Sequence, residues 1–309
     1  MTFDSSLLNR EFLVPALEYL PLKCYLSGSP SQCSPLIILF HGTGGDHFQF
    51  DSLLPTLVQH KYCVLTIDLP YHGLSQPVAF SNPESPVTFE SILENLDEVM
   101  KAYRCANPSS QNPIDLIIGG VSMGGMLAQI CCDQRKTAWE EIGFSFRLLV
   151  PIGCSSTSLL WPRMEWMDYL GVMADDSPEK KSTIDNMRVA IVMSAIKPEN
   201  QNEASRAMEL VHDQTLFLYL RACGRAMPPI PSSHSDGFQF KDKPVCIPHL
   251  LMRGDNDLLT EIYMAGWITW IQEHNIDSSL KIVSNAGHLA NLDNGVEMAE
   301  EIIKAAKKY

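Results

Sequence analysis

The sequence predicts an α/β protein with a mostly parallel central sheet flanked by helices, and a helical cap inserted after the sixth strand. Three observations predict it. Short apolar runs, Leu36-Ile-Ile-Leu-Phe40, Cys63-Val-Leu-Thr-Ile67 and Ile114-Asp-Leu-Ile-Ile118, are each followed by a Gly- or Pro-bearing turn and a segment of helical length. The segments between them, Asp51 to Gln59 and Phe89 to Arg104, place apolar residues such as Ile92, Leu96 and Val99 at three- and four-residue spacing, as helices packed on a sheet do. From Ser155 to Pro244 the alternation stops, and helical patterns and prolines continue without a strand-like run.

The remaining elements follow in order. Phe12 to Leu20 and Leu22 to Leu26 read as a leading pair of strands, and Arg147 to Val150, His249 to Met252 and Leu280 to Val283 as later ones. A helix bearing Ile262, Trp267 and Ile271 separates the last two strands, and Val296 to Lys307 forms a closing helix. Within the interruption, Glu203 to Ala226 reads as one helix carrying Leu210, Leu216, Phe217, Leu218 and Leu220. This divides the chain into a core domain, 1–154 with 245–309, and a cap, 155–244. Trp161 and Trp166 in the cap, with Leu289, are candidate substrate contacts; the cap's apolar residues otherwise bury its own helices on the core.

Composition excludes several classes. The 309 residues are 45% hydrophobic and 19% charged, ordinary values for a globular chain. Lys and Arg total 23 against 36 Asp and Glu, a net charge of −13, the wrong sign for a nucleic-acid partner. No apolar stretch is long enough to span a membrane, and Met1 to Arg10 carries an early acid without the basic and apolar segments of a secretory signal, so the expected location is the cytoplasm. Nine cysteines lie scattered without CxxC spacing, which reads as reduced core thiols. No metal site and no cofactor are assigned.

The chemistry-bearing motif follows the third apolar run. Gly119-Gly-Val-Ser-Met-Gly-Gly125 contains Gly120-x-Ser122-x-Gly124 where a strand should end and a helix begin. Such a tight turn lifts Ser122 Oγ clear of the backbone and aims the Met123 amide at the space in front of it, where an oxyanion would form. A phosphate-binding loop would need Lys and Ser or Thr after the final glycine, and Gly125-Met126 stand there instead. The second glycine-rich turn, His41-Gly-Thr-Gly-Gly45, does not spell a dinucleotide fingerprint, because His47 occupies its third glycine position. It suits an oxyanion loop that brings the Thr43 amide toward Ser122.

A serine hydroxyl needs a base, and the base needs an orienting acid. Gly254-Asp-Asn-Asp257 and Ser284-Asn-Ala-Gly-His288 each follow a predicted strand, giving Ser122, Asp257 and His288 in the chain order Ser, Asp, His. Asp257 is favoured over Asp255 because the loop must leave the strand before it can reach the imidazole; Asp257 could instead cap the helix near Thr260. His41 and His72 are read as structural, and Asn291 and Asp293 as ordering the turn after His288.

These motifs, together with Asp68-Leu-Pro-Tyr-His-Gly-Leu-Ser75 and Gly287-His-Leu-Ala-Asn-Leu-Asp293, make the chain resemble the α/β-hydrolase superfamily, in its lid-bearing group of esterases, lactonases and carbon-carbon bond hydrolases. The resemblance covers nearly the whole length. It implies that the second acid of Gly-x-x-Asp, Asp257, is catalytic and that the residue after His-Gly, Thr43, supplies an oxyanion amide. One departure is Tyr71, which replaces the first glycine of the superfamily's Asp-x-x-Gly-x-Gly-x-Ser turn. The expected activity is hydrolysis of an ester, lactone or thioester of a largely apolar small molecule. The alternatives are carbon-carbon cleavage beside a ketone, or a ligand receptor that keeps the triad without turnover.

Overall fold

The computed structural model describes residues 5–12, 14, 22–30, 35–76, 88–108, 113–156, 176–226 and 244–309. Eight strands form one sheet: β1 (Arg10–Phe12), β2 (Lys23–Ser27), β3 (Leu36–Phe40), β4 (Cys63–Asp68), β5 (Ile114–Val121), β6 (Phe144–Ile152), β7 (His249–Gly254) and β8 (Ser278–Val283). Their order is β1-β2-β4-β3-β5-β6-β7-β8. The pairs β1–β2 and β2–β4 are antiparallel, and every other neighbouring pair is parallel.

Unbroken apolar spelling in the central strands reflects burial on both faces. Alternate residues feed two cores: Leu36, Ile38 and Phe40 of β3 join one, while Ile37 and Leu39 join the other. On the first face pack α2 (Phe89–Ala106), through Ile92, Leu96, Val99 and Tyr103, and α3 (Met123–Gln134), through Leu127 and Cys131. On the second lie α1 (Leu54–Gln59) and the closing helix α10 (Gly295–Ala306), through Leu54, Leu57, Met298 and Ile302. Each such aliphatic side chain contributes about 1.5–3 kcal/mol on full burial. Among the described residues the remaining α-helices are α4 (Lys136–Glu141), α5 (Pro178–Val192), α6 (Pro198–Glu209), α7 (Asp213–Ala226), α8 (Glu261–Glu273) and the short α9 (Ala290–Asp293). A reciprocal Thr88–Ser91 capping box starts α2, and prolines at the first turn start α5 and α6.

Two expectations need correction. The segment from Glu203 to Ala226 is not one helix: α6 ends at Glu209 and α7 begins at Asp213. Arg188 of α5 causes the break, since its guanidinium donates to the carbonyls of Met208 (2.7 Å) and Val211 (2.5 Å) and pairs with Asp213 (2.6 Å). Those bonds satisfy the carbonyls that a helix end leaves open, without glycine or proline. The first strand is Arg10–Phe12, earlier than predicted, with Arg10 opposite Leu26; residues 13 and 15–20 of the predicted strand lie outside the described residues.

No helix among the described residues is long and apolar enough to cross a membrane. The described cysteines are free, all buried except Cys105 and Cys246.

Candidate active site

The carboxyl ends of the parallel strands carry the site. Ser122 ends the run of β5 and caps α3 with φ 52° and ψ −114°, a left-handed conformation that a non-glycine residue adopts only under constraint. The constraint is visible: the Ser122 amide donates to Ile152 O of β6 at 2.8 Å, and the Gly125 and Met126 amides donate back to Ser122 O. Close packing requires glycine nearby, since a Cβ on Gly124 would lie 2.0 Å from the Phe40 carbonyl oxygen.

The loop after β3 presents one amide selectively. Gly42 O accepts from Gly45 N (3.0 Å) and from His41 Nδ1 (2.8 Å), and the Gly42 amide donates to Gln49 Oε1 (3.1 Å). Because a trans peptide opposes its C=O and N–H, fixing the Gly42 carbonyl on one side turns the Thr43 N–H to the other. Neither the Thr43 nor the Met123 amide has a protein partner among the described residues, and both residues line the same cavity as Ser122.

His288 follows β8, and its Nδ1 donates to Asp257 Oδ2 at 3.2 Å, so that in the neutral ring Nε2 is the nitrogen that can accept a proton. Asp257 is 1% exposed and fills both roles its position permits. Oδ1 accepts the Leu259 and Thr260 amides, capping the turn, while Oδ2 accepts from the Thr260 hydroxyl (2.5 Å) as well as from His288. Burial pushes the Asp257 carboxyl up, but the hydrogen bond and charge of His288, with the Thr260 contacts, outweigh that and hold it below the usual carboxylate value. Asp255 instead takes the Ala286 and Asn285 amides and so shapes the turn before His288. Gly153, with φ +50° at the end of β6, lies under this pair: a Cβ there would meet Asp257 Oδ2 at 3.2 Å and His288 Nδ1 at 3.3 Å.

Ser122 and His288 face one cavity of about 320 Å³, walled by Thr43, Met123, Met126 and Leu289 from the sheet side and by Ile191, Ser194, Leu220 and Cys223 from α5, the turn after it, and α7. No Asp, Glu, Lys or Arg lines it among the described residues. Of the sequence-level substrate contacts, Leu289 is on the wall; Trp161 and Trp166 lie outside the described residues. Leu220 was named from the sequence only as an apolar residue of a cap helix; Ala190, Ile191, Cys223 and Thr260 were not predicted as site residues, and of these only Thr260 carried a signal, as a hydroxyl beside a candidate acid. No group of His, Cys, Asp and Glu among the described residues is arranged to hold a metal.

The model of the Alpha/beta hydrolase family matches residues 37–301. The chain belongs to this family. Solved structures of similar architecture include a thermophilic esterase from Thermogutta terrifontis (TM-score 0.69, 14% identity, 97% of this chain and 98% of that one). MenH from S. aureus (TM-score 0.66, 16% identity, 92% and 98%) and the enol-lactonase from Burkholderia xenovorans (TM-score 0.63, 14% identity, 93% and 96%) share it too. No curated protein matches the sequence.

The alpha/beta hydrolase turn after β4 survives its departure from the superfamily pattern. Tyr71 itself takes the left-handed conformation, φ 63°, held by its amide donating to Ser75 O (2.8 Å) and its carbonyl accepting from Gln76 Nε2 (3.0 Å). That turn carries His72, whose Nε2 accepts the Gly44 amide (3.2 Å) while Nδ1 donates to Pro70 O (3.1 Å), so the ring is neutral and steadies the oxyanion loop. Likewise His41 accepts the Leu69 amide on Nε2.

Acid lability follows from these rings. Burial lowers His41, takes His72 down to about 3, and takes His249 down to about 4. In the unfolded chain each titrates near 6.5, so below pH 6.5 the unfolded state binds more protons and stability falls, by up to about 1.4 kcal/mol per pH unit per ring. We expect the urea midpoint to drop steadily from pH 6.5 to about 4. A midpoint that stays flat over that window would show these rings charged in the fold.

Proposed function

We propose that the chain is a serine hydrolase that cleaves an ester, lactone or thioester of an uncharged, largely apolar small molecule. His288 Nε2 takes the Ser122 proton as Oγ attacks the carbonyl, and Asp257 holds the Nδ1–H tautomer and stabilises the imidazolium. The Thr43 and Met123 amides bind the oxyanion, the leaving group takes the proton back, and water repeats the cycle on the acyl-enzyme. Residues 155–244 serve as a cap over a core of 1–154 and 245–309. The observation that carries this reading is the convergence on one cavity of Ser122, a histidine oriented by a buried acid, and two partnerless amides.

Among the described residues no Asp, Glu, Lys or Arg lines the cavity, which supports the substrate polarity, because a carboxylate placed away from the Thr43 and Met123 amides would lose its hydration without gaining a charged partner. Acyl p-nitrophenyl esters from acetyl to octanoyl, set beside hemisuccinyl esters, lactones, thioesters and β-diketones, test it. The expected result is turnover of uncharged esters with kcat/KM at least ~100-fold above the carboxylate-bearing ones, a difference of about 2.7 kcal/mol. Equal turnover of the two would contradict the polarity, and diketone cleavage that persists in Ser122→Ala would favour carbon-carbon chemistry instead.

A further inference from the structure

The helices between β6 and β7 touch both loops on which the proposed chemistry depends, and α6 with the turn before it makes both contacts. At its N-terminal end the turn 193–197 and Asn200 converge on the buried carboxylate of Asp293 in α9. Asp293 Oδ2 accepts the amides of Ile196 (3.0 Å) and Gly287 (2.9 Å), Oδ1 accepts from Asn200 Nδ2 (2.9 Å) and the Lys197 amide (3.4 Å), and the Lys197 ammonium donates to the Asp293 carbonyl. Gly287 immediately precedes His288, whose own amide donates to Ser194 O at 2.9 Å. The histidine loop is thus bonded to the 194–200 segment at the His288 amide and, five residues on, at Asp293, which also holds the Gly287 amide.

About 9 Å further along the same helix, Arg206 reaches the other loop. Its Nη2 donates to Asp46 Oδ2 at 2.7 Å, and its guanidinium lies over the Phe48 ring, 4.8 Å from the centroid. Asp46 is 1% exposed, accepts the Phe48 amide through Oδ1, and so caps the 3-10 turn His47–Phe50 that directly follows the loop carrying Thr43. A stiff helix therefore joins, from the cap side, two loops that meet on the sheet side through Asn291 Nδ2 donating to Gln49 O (2.8 Å) and Ser52 Oγ donating to Asn291 O (2.7 Å).

We propose that α6 is a brace that sets the spacing between His288 and the Thr43 amide, with Asp293 and Asp46 as its anchor points and Asn200 and Arg206 as positioning residues. The inference rests on the hydrolase reading above, since it concerns the geometry of that site. General base and oxyanion donors must be held to a fraction of an ångström, and a misplacement of ~1 Å can cost about 10² in rate. Loops alone hold such tolerances poorly, whereas a helix fastened at both ends transmits a fixed length.

The test counts competent sites before measuring rate. Asn200→Ala, Arg206→Met and the double variant are titrated with a fluorophosphonate, and kcat and KM for an uncharged p-nitrophenyl ester are then expressed per titrated site. Asp213→Asn, in the same helical layer but on neither loop, is the control. The brace predicts full titration, KM within about twofold, and kcat per site lower by roughly tenfold in each single variant and more in the double. Arg206→Lys restores most of the loss, and the control is unchanged. Unchanged kcat per site, with only the titratable fraction reduced, overturns the proposal and leaves these residues a purely structural role. Should the wild-type protein take no label, the hydrolase reading fails on its own. Amide hydrogen exchange then decides the brace: faster exchange at 42–48 in Arg206→Met and at 286–294 in Asn200→Ala supports it, and unchanged exchange overturns it.

Discussion

Ser122→Ala is expected to lower ester turnover by about 10⁶-fold while leaving the fold intact. The nucleophilic oxygen is the only heavy atom removed, and Ser122 stands at the start of α3 beside the Thr43 and Met123 amides that line the same cavity. The same position makes a second, opposite statement about stability. Ser122 holds φ 52° and ψ −114°, which costs any residue with a Cβ about 1–3 kcal/mol. Glycine adopts that conformation without strain but loses about 0.5–1 kcal/mol through its freer unfolded chain. Ser122→Gly should therefore be as inactive as Ser122→Ala yet melt at a higher temperature. Calorimetry on the two variants checks it, and a lower midpoint for the glycine variant would place the strain elsewhere.

Asp257→Asn carries the second large effect, a loss of about 10⁴ in kcat. The carboxylate accepts on both oxygens, from the Leu259 and Thr260 amides on Oδ1 and from the Thr260 hydroxyl and His288 Nδ1 on Oδ2. An asparagine keeps the capping oxygen on the amides and turns its NH₂ toward the imidazole, which selects the Nε2–H tautomer and removes the base. Asp255→Asn provides the contrast. Its carboxylate is solvent-exposed and bonds only to neighbouring polar groups, among them the Asn285 and Ala286 amides. We expect less than about a tenfold change there. Comparable losses at both positions in a kcat/KM–pH series would contradict the assignment of the orienting acid.

The sheet was legible because its central strands are buried on both faces and so spell continuous apolar runs that glycine turns punctuate. The positions where Ser122, Asp257 and His288 lie were legible for a related reason: strained turns restrict residue choice, and Gly124 admits no side chain against the Phe40 carbonyl. What stayed hidden depends on contacts between distant segments. The break between α6 and α7 is made by Arg188 from another helix rather than by a local stop signal. The pocket wall from α5 and α7 consists of ordinary apolar residues whose spacing fits burial as well as ligand contact. Asp293 reads locally as a turn residue, and its bonds to Ile196 and Asn200 emerge only when the chain is folded.

The most direct test of an activated serine is to label the purified wild-type protein with a fluorophosphonate, beside Ser122→Ala and His288→Ala, and to map the adduct by peptide mass spectrometry. The account predicts one adduct on Ser122, absent from both variants. A folded wild-type protein with no adduct, or with the adduct on another residue, would contradict it.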